Sequence, residues 1–132
     1  MSAIDKKAVV GLAEAHDLSL VVLFGSRASG KARRESDTDI GFVSERQKTP
    51  REVAEMQLAF TDALRVPNLD LVDLRGKSPL FLKQVAERSV LLYEKRRAIF
   101  ARFKIYALKL YLEAKPLYRM QRAAIARFAE SV

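Results

Sequence analysis

The chain has 132 residues, enough for one domain with one core, and its 49% hydrophobic content is ordinary for a folded protein. It has no cysteine, which excludes a disulfide framework and a thiolate metal site. The net charge of +8 is uneven: residues 1–93 carry 14 Lys/Arg against 13 Asp/Glu, and residues 94–132 carry 10 against 3.

In chain order, Ile4 to Ala15 has the apolar spacing of an amphipathic helix, with Ile4, Ala8, Leu12 and Ala15 on one side. Leu18 to Phe24 is a short apolar run rich in β-branched residues, and it predicts a buried strand ending at Gly25. Gly25 to Lys31 is a small-residue turn that opens a short helix, and Thr38 to Ser44 reads as a second strand. Pro50 to Leu64 has Thr49 as N-cap, Pro50 at its first position and Glu52 at its third, the start of a capped helix. Leu69 to Leu74 predicts a third strand, Pro79 to Glu87 a helix capped by Ser78, and Val90 to Tyr93 a short fourth strand.

Past Glu94 the pattern is helical. Ile99, Phe103, Tyr106 and Leu110 form one stripe, and Leu117, Met120, Ala124 and Phe128 a second, with Pro116 expected to kink or break the helix between them. The alternation predicts an α/β (α+β) fold, a small mixed sheet with flanking helices, at residues 1–94. A basic helical extension occupies residues 95–132. No apolar run approaches the ~20 residues of a membrane span. No signal peptide is expected, and a cytoplasmic location is.

The stretch from Leu23 to Phe42 carries the chemistry. A buried strand runs into Gly25-Ser26, where glycine lets the backbone approach a phosphate, Ser26 offers a hydroxyl, and the amides of the next helix point at an anion. Asp37 and Asp39 follow, two residues apart, so on a strand both carboxylates face one way. Two such carboxylates repel each other unless a cation lies between them, and Mg²⁺ suits a few carboxylates plus substrate phosphate oxygens. Each motif also has a plain reading: Gly-Ser as a turn, and Asp37 and Asp39 as solvated strand-entry residues. Asp70 adds weight, because by strand parity it lies with Val72 and Leu74 on the face opposite Leu69, Leu71 and Asp73. A carboxylate inside a strand is costly unless paired or bound to metal, and a third one beside the first two completes a two-metal ligand set. Asp70 also reads as an edge-strand residue, and Asp73 as a solvated strand end.

Two rivals fall away. Gly25 to Lys31 matches the GxxxxGK part of a P-loop, but Ala32 stands where the Mg²⁺-binding hydroxyl belongs. His16 is the only histidine and there is no cysteine to join it, which argues against a transition-metal site; a Ser-His-Asp triad around Ser26 would need His16, and nothing in the spacing supports one.

Gly25-Ser26, ten further residues and Asp37-Thr38-Asp39 together resemble the signature of the minimal nucleotidyltransferases of the DNA polymerase β superfamily. Asp70-Leu71-Val72-Asp73-Leu74 resembles that family's third-carboxylate strand, and Val90-Leu91-Leu92-Tyr93-Glu94 its domain end. Within the family the arrangement is most similar to MntA-type antitoxins, which act beside a HEPN-domain ribonuclease toxin and transfer AMP from ATP to one of its tyrosines. The resemblance implies that Gly25 and Ser26 hold the triphosphate, with Arg27 as a further phosphate contact or a solvated side chain. It implies that Asp37 and Asp39 ligate two Mg²⁺ ions, and that Asp70 completes the second site and helps deprotonate the nucleophile. Gly41-Phe42 departs from the aliphatic residues usual there and is expected to loosen the strand slightly.

The implied partners are ATP and a HEPN toxin, with homo- or hetero-oligomers through the C-terminal helices. For the basic tail, a solvated face packed back on the core, a protein-binding surface and direct nucleic-acid contact are distinct readings. A non-catalytic module that masks a toxin or binds nucleic acid is the alternative to an enzyme. A transferase acting on a small molecule is another, although that would normally need an extra domain for its substrate.

Overall fold

The computed structural model describes residues 4–25 and 38–131. Strand β1 (Leu18–Phe24) is central, and the first five of its seven residues are buried. It pairs antiparallel with β2 (Thr38–Ser44) on one side and with β4 (Val90–Glu94) on the other; β3 (Leu69–Asp73) runs parallel to β2 at the edge. The sheet order is β3-β2-β1-β4, a mixed sheet of the kind the alternating pattern predicts. The first two strands fall where they were expected, residue for residue. The other two differ by one residue at their C-terminal ends, as strand boundaries commonly do.

Side-chain parity divides the core into two layers. Val21, Ile40, Phe42, Leu69 and Leu71 face α1 (Lys6–Ala15) and α2 (Pro50–Leu64), where they meet Val9, Ala13, Met56 and Phe60. The opposite face, with Leu20, Val22 and Leu74, is covered by α3 (Pro79–Arg88) and the first half of α4 (Ile99–Ser131) through Leu82, Val85 and Ala107. A register irregularity between Leu18 and Leu20 lets Leu18 join the α1/α2 layer although Leu20 lies in the other.

Helix α1 begins two residues later than its apolar spacing suggests. Asp5 is the N-cap, its carboxylate accepting from the Lys7 and Ala8 amides. The buried row is Val9 and Ala13, flanked by Ile4 and Leu12, and Ala15 is exposed. Helix α2 starts with the expected capping box: Thr49 Oγ1 accepts from the Glu52 amide at 3.1 Å, and the Glu52 carboxylate accepts from the Thr49 amide at 3.0 Å.

Pro116 neither ends nor divides α4, which runs unbroken for 33 residues. Contacts on both sides of the proline hold the helix together. The Tyr111 and Tyr118 rings stack across it at 6.2 Å, Lys83 lies 4.8 Å from the Tyr111 ring, and the Leu80 amide donates to the Tyr118 hydroxyl. Pro116 itself is exposed, so solvent is at hand for the carbonyl it leaves without a donor.

Gly41 has a packing role beyond the expected loosening of its strand. A Cβ there would come within 3.0–3.1 Å of three Leu74 side-chain carbons, so the glycine lets Leu74 pack against the backbone of β2. The Leu74 amide donates to the Phe42 carbonyl at 2.9 Å and extends the ladder past the end of β3.

Candidate active site

The candidate site lies at one end of the sheet, where β1 finishes and β2 and β3 begin. Three of the residues singled out in the sequence meet there: Gly25, Asp39 and Asp70. Asp39 and Asp70 are direct partners in the parallel β2–β3 register. Both project to the face that carries Leu74 and Val72, as parity requires of residues two and four positions away. Adjacent strands stand about 4.8 Å apart, so the two residues are neighbours across the ladder.

Local chain geometry sets this register. Asn68 is in the left-handed region at φ 55°, a conformation asparagine tolerates better than most residues, and its carbonyl accepts from the Thr38 amide at 3.0 Å. That bond fixes where β3 begins relative to β2, and so sets Asp70 opposite Asp39. Sequence reasoning missed Asn68; the signal available was an asparagine one residue before an apolar strand. Asp73 has a different role. Its carboxylate accepts from the Arg75 amide at 3.0 Å, closing a turn at the far end of β3.

Gly25 closes the site on the β1 side. Phe24 is the register partner of Asp39, and Gly25 follows it at φ +82°. A side chain on residue 25 would be strained by that backbone, and its Cβ would also run into the Asp39 carboxylate, whose Cγ would lie only 3.2 Å away. The glycine therefore leaves Asp39 the space it occupies beside the end of β1. The Gly-Ser turn was expected to let the backbone approach a phosphate; the neighbour the structure sets against Gly25 is the Asp39 carboxylate.

Asp39 is half-buried and Asp70 exposed, so the pair opens to solvent. Two carboxylates in register on one face present oxygen ligands only, the donor set Mg²⁺ prefers. Among the described residues no group of three His, Cys, Asp or Glu side chains comes together. Asp37, the third expected ligand, lies outside the described residues, as do Ser26 and Arg27.

A mixed four-stranded sheet with paired aspartates at its edge and a glycine turn beside them defines a nucleotidyltransferase fold. The Polymerase beta, Nucleotidyltransferase family model matches residues 7–98, and the chain belongs to that family. Solved structures extend the likeness over nearly the whole chain, α4 included. A chain of a toxin–antitoxin crystal structure with AMP-PNP superposes with a TM-score of 0.78 at 24% identity, covering 96% of this chain and 99% of that one. A chain of the Shewanella oneidensis tri-AMPylated HEPN toxin in complex with its MNT antitoxin gives 0.71 at 22% identity, covering 94% and 95%. A structure assigned as a minimal nucleotidyltransferase is 34% identical over 64% of this chain and 86% of its own, with a TM-score of 0.57. A search of curated proteins finds no match.

Proposed function

We propose that the chain is a Mg²⁺-dependent protein adenylyltransferase that moves AMP from ATP to a tyrosine hydroxyl of a HEPN toxin and so silences it. The observation that carries the reading is the pairing of Asp39 with Asp70 on one face, beside a glycine whose missing side chain makes room for the first of them. Support for the acceptor comes from the company this fold keeps. Chains of the same fold are found in a toxin–antitoxin structure with AMP-PNP and in a complex with a tri-AMPylated HEPN toxin.

In the reaction the acceptor oxygen bonds to the α-phosphorus of ATP, the bond from that phosphorus to the bridging oxygen breaks, and pyrophosphate leaves. Such transfers depend on positioning and charge neutralisation more than on covalent help. Asp37, Asp39 and Asp70 would hold the metal, which when bound would favour ionisation of the hydroxyl and offset charge on the phosphates. Gly25 and Ser26 would seat the triphosphate at the end of β1, with Arg27 as a further phosphate contact. A tyrosine hydroxyl has an ordinary pKa of about 10, so its proton needs an acceptor at neutral pH. Asp70, exposed at the sheet edge, would take it.

The direct test incubates the chain with Mg²⁺, α-labelled ATP and the HEPN toxin, with Asp39→Asn and EDTA as controls. Label on the toxin, lost in both controls, supports the reading. Tight binding of both forms with no label would replace it with a masking module. Label on a small molecule instead would move the acceptor to a different class.

A further inference from the structure

Because Pro116 leaves α4 whole, the two apolar stripes of the tail become one. From Tyr106 the row passes through Leu110, Leu117, Met120, Ala124 and Phe128 at spacings of three, four or seven, which keep to one helix face. The early part rests on the protein, with Leu110 packed against the second core layer. Beyond Tyr118 every described residue of α4 is exposed, so about 20 Å of helix extends without covering the core. Its apolar row is open to solvent: Leu117 is 54% exposed, Met120 67% and Phe128 70%.

Two further features accompany the row. Arg127 borders it, Lys115, Arg119 and Arg122 lie on the opposite face of the same helix, and Glu130 is the one acid between residues 115 and 131. At its other end the row reaches Tyr106, which with Arg75 and Arg102 edges a groove of about 350 Å³ floored by apolar side chains including Leu20 and Leu74. Among the described residues no acidic side chain pairs with Arg75 or Arg102.

We propose that this row and groove form the docking surface for the protein that accepts AMP, and that the docked element is an acidic amphipathic helix. Its apolar side lies along Tyr106 to Phe128, and a carboxylate enters the groove between Arg75 and Arg102. The assignment of the occupant as the acceptor rests on the function proposed above. Arg75 and Arg102 at the groove and Arg127 beside the row select an acidic partner: a second copy of this chain would bring the same cations against them. An apolar row this exposed also suits another helix better than a phosphate backbone.

The test uses the full chain and the HEPN toxin as probe. In a Met120→Glu/Phe128→Glu double variant, toxin affinity falls at least about tenfold, the loss expected when central apolar anchors are removed. ATP affinity and the melting temperature stay at parental values, which shows that the chain still folds. Arg102→Glu alone weakens toxin binding several-fold. A double variant that binds toxin within twofold of the parent overturns the proposal, as does a parent chain that binds no toxin. A parent that sediments as a dimer, with the double variant monomeric and equally good at binding toxin, gives the surface to a second copy and also overturns it. Transfer of label from α-labelled ATP to the toxin, read beside binding, separates the two readings. If the parent binds but never labels toxin and the double variant loses binding, the docking surface stands and the transferase reading falls.

Discussion

Among the described residues, the two ends of the sheet place their charged side chains differently. At one end β1 finishes and β2 and β3 begin, and two carboxylates lie side by side beside a glycine at positive φ. At the other, Asp17, Glu45, Lys95 and Arg96 form a compensated cluster. Lys95 reaches Glu45 at 3.2 Å and Asp17 at 3.6 Å, and Arg96 reaches Glu45 at 3.2 Å. Backbone bonds tie the same corner, from the Glu45 amide to the Asp17 carbonyl and from the Lys95 amide to the Ser19 carbonyl. Among the described residues, one end sets two aspartates in register; the other pairs its acids with cations and stitches the strand ends together. The difference separates where the fold is held from where the proposed chemistry would be done, and substitutions at the two ends are expected to fail in different ways.

The largest effect is expected at the open end. Asp39→Asn keeps the carboxylate's shape and removes its charge, so the chain folds and transfer of label from α-labelled ATP falls at least about a hundredfold. A variant with near-parental, metal-dependent turnover would remove Asp39 from the site. Gly25→Ala comes next. The left-handed backbone costs an alanine roughly 1–2 kcal/mol, and the new methyl displaces the Asp39 carboxylate. Turnover is therefore expected to fall at least about tenfold, beyond what the lower melting temperature explains; activity lost only in step with stability would reduce Gly25 to a turn residue.

Between the two ends, Gly41→Ala tests packing alone. A methyl placed 3.0 Å from Leu74 overfills the second core layer, at a cost of about 1–3 kcal/mol. Pairing it with Leu74→Ala relieves the clash, so the double variant is less destabilised than the two single losses added together, a non-additivity that denaturant titration reads directly. Turnover per folded molecule stays near the parental value.

What the sequence could and could not reveal follows the same division. Local signals carry the elements: the apolar run makes β1, Thr49 and Glu52 start α2, and Ser78 caps α3. Strand parity alone put Asp70 on the face of Val72 and Leu74, where it is found. That Asp70 stands opposite Asp39 is a matter of which strands pair and in what register, set by Asn68 and the β2–β3 ladder, and no local pattern encodes that. The same limit explains one misjudged residue and one role that went unseen. Pro116 read alone breaks a helix, yet contacts through Tyr111 and Tyr118 carry α4 past it. Gly41 read alone weakens a strand, yet the side chain it accommodates lies 33 positions away.

At the stitched end the effects are on stability only. Thr49→Ala removes a cap just beyond β2 and is expected to cost about 1 kcal/mol with turnover unchanged. The smallest and most specific effect concerns Glu45. Lys95 first, and Arg96 after it, hold the Glu45 carboxyl below its ordinary 4.5, and Glu45 in turn raises Lys95 above its ordinary 10.5. A lowered carboxyl contributes stability that is in place above its unfolded value and is lost as the pH falls through its folded one. Raised Lys95 has the opposite sense: its contribution is complete below 10.5 and is lost as the pH rises through its folded value. Glu45→Gln should therefore melt slightly below the parent at neutral pH, by a margin that added salt reduces. The two melting curves should converge in acid, where the parent's Glu45 is protonated and makes no ion pair. A gap that persisted unchanged into acid would mean that the residue acts through packing, and that this corner of the sheet is held by its backbone bonds and not by its charges.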